Sequence, residues 1–175
     1  LTGTEGKVHS FEPTASTYEI LTANVSSLKN VSVNNVAVAD VIGKVKFSDF
    51  GSHFSAFNSF FTPKTEDARL PKSTVREVET VTIYSYVQDS GVVPNFIKLD
   101  TEGAESLIIK GAYETIKNYS PAISLEVGDL GNGEPDTVKK ESPVEMLLNK
   151  GYKAFEYVSG KTVAHTKKDM YSYDN

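Results

Sequence analysis

Cysteine is missing from this 175-residue chain. Its absence rules out a disulfide framework and any thiolate metal site, and redox logic leaves the compartment open. A basic excess is missing too: 18 Lys and Arg stand against 23 Asp and Glu, for a formal net charge of −5. That balance argues against binding to phosphate backbones, so no nucleic-acid partner is expected. No apolar run approaches the roughly 18 to 20 residues that span a bilayer, and the amino end lacks a charged and apolar signal pattern. A membrane partner is therefore not expected, and a cytoplasmic setting is. There is no internal repeat and no low-complexity tract. No G-x-G-x-x-G occurs, which removes the support a nicotinamide oxidoreductase would need. The first residue is Leu1 and not methionine, so the amino end reads as a cut end.

The length suits one domain, 1–175, which buries roughly 70% of its unfolded surface. Its most readable stretch is Phe96 to Val127, FIKLDTEGAESLIIKGAYETIKNYSPAISLEV. A short apolar run, Phe96 to Leu99, ends at Asp100 and Glu102 and breaks at Gly103. Leu107, Ile108, Ala112 and Ile116 then form a stripe that predicts a helix over Ala104 to Ile116. Ser120 before Pro121 stops it, and Ala122 to Val127 resumes an extended run. Such a β-α-β unit joins parallel strands by a right-handed crossover, and ligands bind beyond the carboxyl ends of the strands. Asp100, Glu102 and Glu126 fall there.

Elsewhere, Val8 to Phe11 is a short strand ending at Glu12-Pro13. Ser16-Thr17-Tyr18-Glu19 reads as a capping box opening a helix to about Val25. Val31 to Ala39 reads as one buried strand, and Lys44 to Phe50 alternates as a second. Gly51 to Ser73, rich in Ser, Phe and Pro, reads as a long functional loop. Arg76 to Val87 fits either a strand or the start of a helix. Ser142-Pro143-Val144-Glu145 is a capping box with proline at its favoured first helical position. Tyr152 to Val158 and Thr162 to Thr166 read as a hairpin about Ser159-Gly160. The alternation of strands and helices with a closing antiparallel pair predicts an α/β domain.

Four segments in order, VHSFEP, VAVAD, FIKLDTEGAESLIIKGA and PAISLEV, resemble the FkbM-type methyltransferases, which use S-adenosylmethionine. The resemblance covers roughly Gly6 to Val127. It implies a Rossmann-like class I methyltransferase sheet, mostly parallel with an antiparallel end, and O-methylation of a small-molecule or sugar hydroxyl. Glu12, beside Pro13, would accept the ribose hydroxyls of the cofactor, as a strand-end carboxylate does in the related dinucleotide fold. Ala39 and Asp40 would line the adenine, with Asp40 accepting its amino group. Asp100 would lie where the methionine portion and the acceptor meet. In this fold a first strand and glycine-rich turn precede VHSFEP; here only Leu1 to Lys7 do. The chain thus reads as lacking the first strand and helix, the gap being filled by a longer protein or by another chain in an oligomer.

Each site has a plainer reading. Glu12 could be a solvated carboxylate, and acidic groups before a helix stabilise its positive end by roughly 0.3 to 1 kcal/mol without further purpose. Against this, Asp100 and Glu126 at adjacent strand ends are catalytic candidates and could bind a divalent cation through oxygen. Glu105 reads as a first-turn residue facing solvent, His9 and His165 as structural. His53, in the long loop, is the histidine best placed for a general base. Phe50, Phe54, Phe57, Phe60 and Phe61 read as an acceptor pocket or lid, or equally as a satellite core, with Asn58 and Ser59 as the polar groups beside them. The alternative function is a non-catalytic α/β module or inactive fragment without the cofactor site.

Overall fold

The structure, a computed structural model, describes residues 2–3, 5–51, 54, 58–60, 72–127 and 142–168. Strand β1 (Val8–Phe11) runs parallel to β2 (Val31–Asn34), with Val8 opposite Val31 and Phe11 opposite Asn34. Parallel neighbours need a crossover, and α1 (Ala15–Val25) supplies it. The helix opens one residue before Ser16, behind Thr14, so the expected Ser16–Glu19 box does not form. Instead, Glu12 Oε1 accepts the Thr14 amide at 2.8 Å. Tyr18, Leu21 and Val25 are the half-covered apolar face, and α1 fully buries no residue.

The expected single strand over Val31 to Ala39 is two. Asn35 Nδ2 donates to the carbonyls of Glu12 at 2.9 Å and Pro13 at 3.2 Å, a side-chain bond that replaces the ladder and turns the chain away from β1. Strand β3 (Ala37–Val38) therefore joins a different group. It lies parallel to β5 (Thr74–Val81), whose other edge pairs antiparallel with β4 (Gly43–Asp49). The ambiguous run from Arg76 resolves at Thr82. Thr82 Oγ1 accepts the Ser85 amide at 2.9 Å while Ser85 Oγ accepts the Thr82 amide at 3.2 Å. That reciprocal box ends β5 and starts α2 (Ile83–Ser90).

Strand β6 (Phe96–Leu99) runs parallel to β7 (Ala122–Leu125), with Leu99 opposite Leu125. The single helix expected between them is broken at Ala112 into α3 (Glu105–Gly111) and α4 (Tyr113–Tyr119). Gly111 is the last residue before the break. A Cβ there would stand 2.1 Å from the Ala39 carbonyl oxygen, so the end of α3 lies directly on the backbone that leaves β3. The core sits around this joint: Leu99, Ala104, Ile108, Ile109, Ala112 and Ile116 pack with Met146 and Leu147 of α5 (Pro143–Leu148). Ile109 is wholly buried, and burying such a side chain stabilises by roughly 1.5 to 3 kcal/mol. Ser142 and Glu145 form the expected capping box of α5. Strands β8 (Phe155–Val158) and β9 (Lys161–Ala164) make the closing antiparallel hairpin.

Among the described residues the strands form four separate groups, β1–β2, β3–β5–β4, β6–β7 and β8–β9. The result is a mixed α/β fold with parallel pairs, an antiparallel β4–β5 ladder that the expected mostly parallel sheet does not include, and an antiparallel end. Among the described residues no helix is long and apolar enough to cross a membrane.

Candidate functional site

The parallel register of β6 and β7 continues one step past the strands and sets Asp100 beside Glu126. The chain then turns through Glu102, whose φ of 52° lies in the left-handed region, and Gly103, whose φ of 98° does as well. For glutamate that conformation is strained, and such strain gathers at functional turns. The turn carries the Glu102 carboxylate back to the strand ends: one carboxylate oxygen each from Asp100, Glu102 and Glu126 lies within 4.8 Å of the others.

Three carboxylates so close cannot all ionise easily. Lys98, one pleat earlier on β6, donates to Asp100 Oδ2 at 2.5 Å. That ammonium first, and then a hydrogen bond with Glu126, hold Asp100 below the usual carboxylate range. Glu126 is pushed up to about 7 by its hydrogen bond to Asp100, by burial and by the negative charges of Asp100, Glu102 and Glu105. Burial, then Asp100 and Glu105, also raises Glu102. The pair is therefore asymmetric, with Asp100 ionised and Glu126 titrating near neutrality. Chemically, the three oxygens suit a hard divalent cation, while Lys98 and the shared proton neutralise the same cluster without one.

Glu105 corrects the sequence reading. It is 6% exposed and not solvent-facing. Its Oε1 accepts both the amide and the hydroxyl of Thr101, at 2.9 and 2.8 Å. It braces the Asp100–Gly103 turn from inside, a role that helical periodicity, which ignores turn amides, could not reveal. The spacing of Thr101 and Glu105 was the available signal.

Glu12 stands at the carboxyl end of β1, half-buried. Its amide still pairs with the Asn34 carbonyl at 3.0 Å, and its Oε1 holds Thr14. Oε2 has no partner among the described residues, so the carboxylate keeps an acceptor for a ligand hydroxyl. Ala39 is 2% exposed and Asp40 is exposed, and Gly111 lies against the backbone of both. Among the described residues no hydrogen bond or ion pair joins Asp40 to Glu12 or Asp100. The structure thus brings Asp100 and Glu126 together directly and sets Glu12 with Pro13, and Ala39 with Asp40, on separate loops.

Of the other residues named from sequence, His53, Phe57 and Phe61 lie outside the described residues. His9 is structural: its Nδ1 lies 2.6 Å from the Tyr86 hydroxyl, and Phe11 meets the same ring edge-on. His165 Nδ1 pairs with Glu156 at 2.7 Å in the terminal hairpin. Phe60 packs edge-on against Phe47 and against the main core.

Parallel strand pairs joined by crossover helices, with acidic groups at the strand ends, define a mixed α/β protein. The family described as Methyltransferase FkbM domain matches residues 1–154, and the chain belongs to that family. No curated protein and no solved structure matches it.

Proposed function

We propose that the protein is an S-adenosylmethionine-dependent O-methyltransferase acting on a hydroxyl of a small molecule or sugar. The observation that carries this reading is the Asp100–Glu126 pair, an ionised carboxylate beside one that titrates near neutrality at the ends of two neighbouring strands. Glu12 Oε2 is the acceptor for the ribose hydroxyls; Pro13 fixes the turn that presents it. Ala39 and Asp40 line the adenine. When bound, the cofactor supplies an electrophilic methyl group, and the protein supplies position and charge. Asp100 orients the acceptor hydroxyl. Glu126, ionised above about pH 7, would accept the proton of the hydroxyl that Asp100 orients.

The full class I sheet would place a strand between β1 and β6, from this protein or from a second chain. Support comes from the strand edges. The amides of Val8 and Glu12 point to β2, so those of His9 and Phe11 point away from it. The carbonyls of Asn95 and Leu99 point to β7, so the backbone groups of Phe96 and Lys98 also face outward. These same edges, unpaired among the described residues, favour the second reading, an α/β module without cofactor chemistry.

Isothermal titration with S-adenosylmethionine separates the two. Binding is expected, weakened at least tenfold by Glu12→Ala, the loss of one charged hydrogen-bond acceptor. No binding, or binding indifferent to that substitution, removes the methyltransferase reading.

A further inference from the structure

The turn that presents Glu12 has little packing to hold it. The helix that follows it, α1, fully buries no residue, and the buried member of the turn is a polar one, Thr14, at 4% exposed. Thr14 occupies the N-cap position, where a threonine hydroxyl ordinarily accepts an amide of the first helical turn. Here it makes no such bond. Its Oγ1 instead accepts from Asn58 Nδ2 at 3.1 Å, a residue 44 positions away in sequence.

Asn58 is itself oriented without ambiguity. Its Oδ1 lies 2.7 Å from the Phe50 amide nitrogen, and a backbone N–H can only donate, so the side-chain NH2 must face Thr14. The next residue, Ser59, exchanges both backbone hydrogen bonds with Ser48 of β4, at 2.9 and 3.2 Å, and the two serines are 3% and 5% exposed. The Ser48–Ser59 bridge thus anchors a half-buried polar arm, Asn58, that reaches Thr14, and Thr14 holds Glu12 Oε1 through its amide. Asn35 holds the Glu12 and Pro13 carbonyls of the same turn and the Tyr18 amide donates to the Thr14 carbonyl at 2.8 Å, whereas the Asn58 arm holds the Thr14 hydroxyl.

We propose that Asn58 is a positioning residue for Glu12: acting through Thr14, it fixes the rotamer of the carboxylate so that one oxygen stays inward and the other faces the ligand. This rests on the reading of Glu12 as the ribose acceptor. It adds a residue held at the end of β4 to the machinery that sets affinity for the nucleoside.

The test reads the arm and the ligand separately, on the full chain. Hydrogen exchange of the Thr14 amide reports its bond to Glu12 with no ligand present. Thr14→Val and Asn58→Leu are each expected to lower the protection of that amide roughly three- to tenfold, the loss of about one hydrogen bond. The double variant should lose no more than either single, since both break one chain of contacts. Thr14→Ser, which keeps the hydroxyl, should restore protection. The Ile108 amide, bonded to the Ala104 carbonyl in the core, should not change and so certifies the fold. Titration with S-adenosylmethionine should show affinity falling by a similar factor in the same variants. Unchanged Thr14 protection in Asn58→Leu with Ile108 intact, or losses that add in the double variant, overturns the proposal. Should Asn58→Leu lower Ile108 protection as well, the contrast of Thr14→Val with Thr14→Ser decides. Lost protection in variants of a protein that binds no S-adenosylmethionine leaves the arm standing and overturns the ribose reading of Glu12.

Discussion

Asp100 and Glu126 stand side by side at the ends of β6 and β7 and share a proton that Glu126 keeps, because Lys98 neutralises Asp100 and not its neighbour. The asymmetry has a sign in stability. Glu126 is raised from 4.5 to about 7 on folding, so the folded state binds this proton more tightly. The associated stabilisation is whole below about pH 4.5 and is lost as the pH rises through about 7. Asp100 is lowered, so its contribution is present above its ordinary value and is lost only on further acidification. Glu126→Gln, which stays neutral, should therefore gain on the native protein as the pH rises. We expect about 1 to 2 kcal/mol in its favour near pH 8 and little near pH 5, less than the full shift implies because the pair is partly solvated. Urea midpoints at the two pH values check it; a native protein equally stable at both would remove the shared proton.

Lys98 tests which residue directs the pair. Its ion pair with Asp100 is solvent-exposed, at 62% and 45%, and exposed pairs contribute roughly 0 to 1 kcal/mol. Lys98→Ala should hence barely change stability at neutral pH. The titration should change markedly. Asp100 loses the strongest influence holding it down, the two carboxylates become more alike, and the midpoint near neutrality moves to higher pH as a positive charge leaves. The carboxyl carbon shifts of Glu126 and Asp100, followed by NMR against pH, read this directly, and Lys98→Arg should recover most of the native curve. An unmoved midpoint in Lys98→Ala would show that the carboxylates alone set the asymmetry.

Glu102 holds a left-handed backbone, φ 52°, in a place that glycine would fill without strain. Releasing that strain is worth about 1 kcal/mol or slightly more, against which glycine adds roughly 0.5 to 1 kcal/mol of unfolded-state entropy. Removing a carboxylate from a crowded acidic cluster tips the balance. Glu102→Gly should thus leave the protein as stable or up to about 1 kcal/mol more stable, while lowering the titration midpoint of Glu126, which Glu102 helps to raise. A loss of more than about 1 kcal/mol in a thermal melt would mean that the side chain supports the fold and not the site.

The residues that sequence reading placed well are those whose position follows from strand period alone. Asp100 and Glu126 each follow an extended run, and parallel register did the rest. Val31 to Ala39 misled because β propensity cannot show an asparagine side chain replacing the ladder. Glu105 misled because a first-turn carboxylate is ordinarily solvated, and its burial depends on Thr101 offering two donors. Asn58 stood out only as a polar group among aromatics; its partner Thr14 is distant in sequence, and no spacing rule links them. The break at Ala112 and the contact of Gly111 beside it with the distant Ala39 backbone are both invisible to helical periodicity.

That contact yields the sharpest prediction. The Gly111 position would set a Cβ 2.1 Å from the Ala39 carbonyl oxygen and 3.1 Å from the Asp40 Cα. Both are backbone atoms, which cannot swing aside as a side chain can, so α3 or the Ala39–Asp40 segment must move. Overpacking of this kind costs about 1 to 3 kcal/mol and occasionally more, whereas Gly→Ala in an uncrowded helix interior stabilises by roughly 0.5 to 1 kcal/mol. The two effects have opposite signs, and the steric one is larger. Gly111→Ala should lower the urea midpoint by an amount equivalent to about 2 kcal/mol. Because the displaced segment carries Asp40 while the Asp100–Glu126 pair sits at the other end of α3, affinity for S-adenosylmethionine should fall more than the Glu126 titration shifts. A stabilised Gly111→Ala would show that the two backbones do not touch.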